Sequence, residues 1–217
     1  MAEKSTGKTR AHTIYKCADG KRVIGVTTAL GILNKPALVK WANNLGLKGI
    51  DSSKFTDEKA KIGTLAHYMV ECYLREDEPD LTDYTPNQID LAENSVLKFH
   101  EWEEENDFAI IDVEMKLVSE KYRYGGQCDI YCVLNSKKTL IDLKTSGGIY
   151  EEMIFQVAAY RQLLEENGYP VDECAILRIG RDETEGFEFR KINNTKTAWK
   201  IFENCLEIYQ LKKEMKK

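Results

Sequence analysis

At 217 residues the chain has room for one core of real size, and its 42% hydrophobic share is that of a globular protein. No apolar run is long enough to span a bilayer as a helix, which excludes a helical membrane protein. The formal net charge of −5 argues against a uniformly basic nucleic-acid binder, but the charge is unevenly spread along the chain.

The first 48 residues carry nine basic side chains (Lys4, Lys8, Arg10, Lys16, Lys21, Arg22, Lys35, Lys40 and Lys48) against Glu3 and Asp19, a net +7. Such a stretch can meet phosphates. The opening ten residues hold no apolar segment of the kind that directs export, so the chain is expected to stay in the cytoplasm. Up to Ile24 it reads as irregular chain with a short hairpin around Ala18, Asp19, Gly20 and Lys21. Thr27 or Thr28 is placed to cap a helix through Leu33, and Pro36 suits the first turn of a second helix through Leu38, Val39 and Trp41. Thr56 to Lys59 opens a longer helix to about Leu74, with Ile62, Leu65, Ala66, Met69, Val70 and Tyr73 as its apolar stripe. His67 lies inside it, and Gly63, one turn earlier, lets another backbone come close. Residues 76–107 hold twelve acidic residues and one lysine, a net −11. Within them Pro86 to Asn106 reads as a helix with Ile89, Val96, Leu97 and Trp102 inward and its acids in solvent.

Beyond this point the hydrophobic period changes from that of a helix to that of a strand. Ile110 to Val118 alternates and carries Glu114. Two further strand-like runs follow around Asp129 and Asp142, and Asn135-Ser136-Lys137-Lys138 between them is a hairpin turn that brings the two aspartates side by side. Asp142 and Lys144, two apart on a strand, leave it on one face. On an exposed strand such a pair is only a surface ion pair. Leu140, Ile141 and Leu143 make this strand apolar and buried, where charges need a partner or a metal. Two adjoining carboxylates repel each other, and a bound divalent cation relieves the repulsion. A lysine beside that cation can orient a water and offset charge on a phosphate, which is the equipment of a metal-dependent phosphodiesterase. Gly125 and Gly126, ahead of Asp129, allow a bend or a close approach.

Glu151 to Asn167 reads as a helix ended by Gly168, with Gln156 and Tyr160 four apart on one face. Ala175 to Ile179 and Phe187 to Ile192 are two more strands joined by the turn-rich residues 180–186. A last helix starts at Thr195, with Ala198, Ile201, Phe202, Cys205, Ile208 and Tyr209 on one face. Its basic end, Lys212, Lys213, Lys216 and Lys217, suits the negative pole of the helix. The element order implies a mixed α+β fold, a mixed sheet with a helical segment ahead of it, in one domain. The six cysteines (Cys17, Cys72, Cys128, Cys132, Cys174 and Cys205) form no Cys-x-x-Cys pair and are expected to be reduced, buried thiols.

Gly126-x-x-Asp129, then Ile141-Asp142-Leu143-Lys144-Thr145-Ser146, then Gln156-x-x-x-Tyr160 resembles the RecB-type branch of the PD-(D/E)xK nucleases. Gly63-Thr64-Leu65-Ala66-His67 resembles that branch's histidine motif, so the likeness spans about residues 60 to 165 in matching order. The opening Gly25 to Leu30, with Lys35 to Leu38 and Trp41-Ala42, is similar to the start of small phage-encoded exonucleases and of the mitochondrial genome-maintenance exonuclease of the same branch. The resemblance implies a restriction-endonuclease-like core, a central mixed sheet flanked by helices with an N-terminal helical wall or arch. Residues 27–107 would be the mainly helical part carrying the histidine motif, and residues 108–217 the catalytic sheet core with the C-terminal helix, within a single nuclease domain over residues 1–217.

The implied activity is that of a Mg²⁺- or Mn²⁺-dependent DNA exonuclease, phage-encoded and used in recombination, replication or repair. DNA strand ends would be its substrate and a single-strand annealing or binding protein a partner. The rivals are a structure-specific or restriction-type endonuclease, and a catalytically silent nucleic-acid-binding protein on the same fold. By the resemblance Asp129, Asp142 and Lys144 are catalytic. His67, Asp129, Asp142 and the Leu143 carbonyl hold the metal, and imidazole tilts such a site toward Mn²⁺ while Mg²⁺ remains usable. Glu114 is either near the metal, as in some relatives, or a solvent-facing strand residue. Gln156 and Tyr160 would touch substrate. Thr145 and Ser146 would bond a phosphate or merely cap the strand end, and Arg161, Arg178 and Lys40 are further phosphate contacts. Trp41 and Tyr68 could stack on bases. Some relatives carry an iron–sulfur cluster on one early and three clustered late cysteines. The late cluster is missing here, so no such cluster is expected.

Overall fold

The strand-period residues beyond position 107 build an antiparallel meander of β3 (Phe108–Ser119), β4 (Tyr124–Leu134) and β5 (Lys137–Lys144). This computed structural model describes residues 13–216, so Lys4, Lys8 and Arg10 of the basic N-terminal stretch and Lys217 of the basic C-terminal end lie outside the described residues. The β4–β5 turn is Asn135-Ser136, both with positive φ (49° and 65°), the two-residue turn whose twist matches that of the flanking strands. Helix α5 (Glu151–Glu166) ends before Gly168, whose φ is +86°, and crosses over to β6 (Glu173–Ile179), which runs parallel to β5. β7 (Phe187–Lys191) closes that edge antiparallel to β6.

At the other edge the hairpin of β1 (Tyr15–Lys16) and β2 (Arg22–Gly25) joins the sheet through a short parallel ladder, Ile24 to Tyr124 and Gly25 to Gly125. This topology opens a fork. β3 occupies one flank of β4 along its whole length. On the other flank, β2 pairs with residues 124–125 and β5 with residues 130–134. Residues 126–129 lie between them with no ladder partner on that side among the described residues.

Helices cover both faces, which confirms the expected central mixed sheet between helical layers. On one face α1 (Val26–Leu30), α5 and α6 (Thr195–Glu214) pack over Tyr124, Cys128, Tyr131 and Leu140. On the other, α3 (Ser52–Leu74) and α4 (Pro86–Glu104) bring Val70, Phe99 and Trp102 against Val113, Ile130, Ile141 and Leu143. Helix α2 (Pro36–Leu47) buries none of its residues. All six cysteines are buried and unpaired. No helix among the described residues is long and apolar enough to cross a membrane.

Several local expectations need correction. α3 begins at Ser52 rather than Thr56, because the Asp51 side chain accepts the backbone N–H groups of Ser53 and Lys54 as an N-cap. α1 is capped by the Gly25 backbone and by neither threonine, and it stops at Leu30. On α4 the inward stripe is Gln88, Ala92, Ser95, Phe99 and Trp102; Leu97 falls between its turns and is exposed. On α3, Tyr68 is the buried tyrosine and its hydroxyl accepts from the Asp80 N–H, whereas Tyr73 is exposed and donates to Glu103. Tyr68 is therefore not a surface for stacking bases. Ile208 of α6 is also exposed.

Candidate metal centre

The fork gathers the chemistry. Alternation along the two longest strands reverses beside it: Val113 and Met115, two apart on β3, enter cores on opposite faces of the sheet, and so do Ile130 and Cys128 on β4. The residues at the reversal are Glu114 and Asp129, which the flanking register sets opposite each other. Glu114 has φ of +54°, a left-handed conformation that costs a side-chain-bearing residue about 1–2 kcal/mol.

Asp129 is fixed from β5, where the Leu143 N–H donates to its Oδ2 at 2.9 Å. From the opposite layer α3 delivers His67, whose Nδ1 lies 3.8 Å from Asp129 Oδ1. Gly63 makes that approach possible, since a Cβ there would sit 2.6 Å from Thr145 Oγ1 at the end of β5. One ligand atom each from His67, Glu114 and Asp129 lies within 4.8 Å of the others, so this trio can hold a metal ion. A hollow of about 10 Å³ adjoins it, bounded by these three residues and Leu143 among others, room for one water-sized occupant. An imidazole with two carboxylates suits a divalent cation.

Asp142 stands behind Asp129, fully buried, with Lys144 Nζ 2.5 Å from its Oδ2. Burial raises the Asp142 pKa to about 7, Asp129 adds to the rise, and Lys144 opposes it. For Lys144 burial alone would favour the neutral amine, but Asp142, Asp129 and Glu114 hold its pKa above the ordinary lysine value. The group is thus a set of crowded carboxylates with one ammonium.

From the α5 side Tyr160 enters over Gly126, where a Cβ would come within 2.6 Å of the tyrosine Cε1. Gln156 Nε2 donates to the Tyr160 hydroxyl at 2.7 Å, and burial, with the two aspartates, pushes the phenol pKa well up. A cleft of about 320 Å³ runs past these groups, bordered by His67, Asp129, Lys144, Gln156 and Tyr160 and, from β1, β2 and α1, by Tyr15, Gly25, Thr27 and Thr28. The gap in the sheet is what lets side chains of both helical layers share one cleft.

Of the expected site residues, the structure brings together His67, Glu114, Asp129, Asp142, Leu143, Lys144, Gln156 and Tyr160, with Thr145 and Ser146 on the segment just after β5. Ser146 Oγ donates to the Gly148 carbonyl. Three cations do not join them. Arg161 is taken up by Glu165, Thr195 and the Val171 carbonyl beside a second hollow between α5 and α6. Arg178 is buried and turned to the Glu185 carbonyl and Glu188. Lys40 is exposed on α2 and does not border the cleft. Sequence reasoning missed Gln127, which borders the cleft and donates to Glu114, and used Thr27 and Thr28 only as helix caps. For Gln127 the available signal was its place within Gly125-Gly126-Gln127-Cys128-Asp129.

No family model matches the chain, and no curated protein matches it. Among solved structures it is similar to a crystal structure described as "Putative exonuclease" from Eubacterium rectale, at 11% identity over 65% of this chain, with a TM-score of 0.48. The chain spans 64% of that protein's length, less than two thirds. It is also similar to a protein designated SSO0001, at 15% identity over 68% of this chain and 72% of that one, with a TM-score of 0.31.

Proposed function

We propose that the chain is a divalent-metal-dependent deoxyribonuclease of the RecB-like PD-(D/E)xK group, one nuclease domain that hydrolyses phosphodiester bonds from a strand end during recombination, replication or repair. One observation carries this reading: the His67, Glu114 and Asp129 group meets the Asp142–Lys144 pair at a break in the sheet that opens on a cleft. A purely structural ion pair needs no convergent imidazole and carboxylates beside it, and a binding module gains nothing from carboxylates facing phosphate.

His67, Glu114 and Asp129 would hold Mg²⁺ or Mn²⁺, with Asp142 behind them and the Leu143 carbonyl as a further oxygen. Bound there, the cation supplies Lewis acidity and makes a water easier to deprotonate. The remaining work belongs to the chain. The Lys144 ammonium, held among three carboxylates, orients the attacking water or the scissile phosphate and offsets the charge that develops on it. Gln156 and Tyr160 wall the cleft and place the substrate, and the hydroxyls of Thr27 and Thr28 offer further contacts. Residues 20–50 contain no acidic side chain and five basic ones, a local positive charge that supports contact with phosphates away from the metal group.

The test is cleavage of end-labelled linear single-stranded and duplex DNA, and of covalently closed circles, with Mg²⁺, Mn²⁺ or EDTA. Linear DNA is expected to shorten from an end only when metal is present, and closed circles to survive. Nicking of circles at the rate of linear DNA would make the protein an endonuclease. Absence of cleavage on every substrate with Mn²⁺ would leave a silent nucleic-acid-binding protein.

A further inference from the structure

We propose that Gln127 is the positioning residue that sets Glu114 in the metal group, so that cation affinity depends on a neutral side chain that need not touch the cation. The inference rests on the metal-dependent reading above and deepens it. Gln127 sits on β4 opposite Lys116, and its side chain reaches along the strand to Glu114, the next residue but one on β3. Its Nε2 lies 2.6 Å from Glu114 Oε2 and 3.4 Å from the Glu114 carbonyl oxygen. A carboxylate only accepts, so the amide group facing it is the NH₂, and one carboxamide clamps both the side chain and the backbone of Glu114.

The residue clamped is one the strand would not hold there by itself. Glu114 has φ of +54°, in the stretch where strand alternation reverses, and its carboxylate must converge with His67 and Asp129. Other residue types would perform this task badly. A lysine or arginine would place a fixed positive charge against the cation. A glutamate would add another carboxylate to Glu114, Asp129 and Asp142, and an apolar residue would leave Glu114 without this donor. The amide donates to the Glu114 carboxylate without adding charge. Partners of metal ligands that act in this way set affinity by 10–100-fold in other sites.

The experiment is Mn²⁺ titration of the DNA-free protein, followed by electron paramagnetic resonance of free Mn²⁺, for wild type, Gln127→Leu, Gln127→Asn, Glu114→Gln and the Gln127→Leu/Glu114→Gln double variant. Thermal melting in EDTA reports folding. Gln127→Leu should weaken Mn²⁺ binding by roughly 10–100-fold. It should add nothing in the Glu114→Gln background, because its effect runs through that carboxylate. Gln127→Asn, one methylene shorter, should lose affinity as well, and it decides the matter if the leucine variant does not fold. Wild-type Mn²⁺ affinity in folded Gln127 variants would overturn this inference and leave the metal reading standing, as would an equal loss with and without Glu114. Failure of the wild type itself to bind Mn²⁺ would overturn both.

Discussion

Replacing Asp142 by asparagine keeps the shape of the side chain and removes its charge, and the consequence should depend on pH in the metal-free protein. The carboxyl is fully buried and its pKa is raised from 3.8 to about 7, through burial first and Asp129 as well, against the pull of Lys144. A raised acid pKa means that the folded state binds its proton more tightly than the unfolded chain does. The contribution to stability is then fully present below pH 3.8 and is lost as pH rises through about 7. Three pKa units correspond to a ceiling of about 4 kcal/mol, of which about 2–3 kcal/mol falls between pH 5 and pH 8.5. Urea unfolding of wild type and Asp142→Asn in EDTA at these two pH values reads this difference, in which titrating groups that do not interact with Asp142 cancel. The stability of the variant relative to wild type should rise by up to about 3 kcal/mol from pH 5 to pH 8.5. A difference that stays constant, or moves in the variant's disfavour at the higher pH, would refute the picture of a carboxylate held ionised at a cost until a cation offsets it.

Other substitutions probe the same arrangement. Gly63→Ala puts a Cβ against Thr145 Oγ1, so the Thr145 side chain or α3 must give way; a loss of about 1–3 kcal/mol in stability and, where α3 moves, a weaker response of activity to Mn²⁺ are expected. Thr145→Ala should restore both if that contact is the cause, which denaturation and metal titration of the double variant would show. Lys144→Ala should abolish cleavage in protein that still folds, although it strips the buried Asp142 of its counter-ion at a cost of about 3–5 kcal/mol at neutral pH; a residual rate above about a tenth of wild type would remove Lys144 from its role, since such groups contribute several kcal/mol. Glu185, nearly buried, accepts from Arg181 and Lys59, which together with a backbone N–H hold its pKa down at about 2 against the effect of burial. Its contribution is present above the usual carboxylate pKa and is lost as pH falls through about 2, so Glu185→Gln should cost about 1–3 kcal/mol at pH 7 and progressively less in acid, read from unfolding curves at pH 7, 4 and 2.5.

Period-2 and turn chemistry made much of this molecule legible. The shared face of Asp142 and Lys144, the Asn135-Ser136 turn that returns Asp129 to Asp142, and the glycine after α5 are local signals, and the structure holds them where local rules put them. The place of Glu114 was not legible, because alternation is the rule that fails there: the chain takes a left-handed residue and swaps the faces of its neighbours. A pattern argument has no term for that reversal and returns a strand residue on one face or the other. The arginines failed for a different reason. Arg161 pairs with Glu165 one turn on, but Val171 and Thr195 hold it from 10 and 34 residues away, and Arg178 finds its partners 7–10 residues away; the local sequence does not distinguish a cation committed to such distant oxygens from one left for phosphate. Asp51, an ordinary N-cap residue type, starts α3 one turn before Thr56, where the apolar stripe gives no signal because residues 52–54 are polar.

The central claim is that the fork between β2, β4 and β5 is a cation site, and anomalous scattering from crystals grown with Mn²⁺ tests it most directly. A single strong peak is expected within bonding distance of a ring nitrogen of His67 and of carboxylate oxygens of Glu114 and Asp129, and it should disappear in crystals of the Asp129→Ala variant. Ordered protein at saturating Mn²⁺ with no peak at these residues, or with peaks only on the acidic surface of α4, would contradict it.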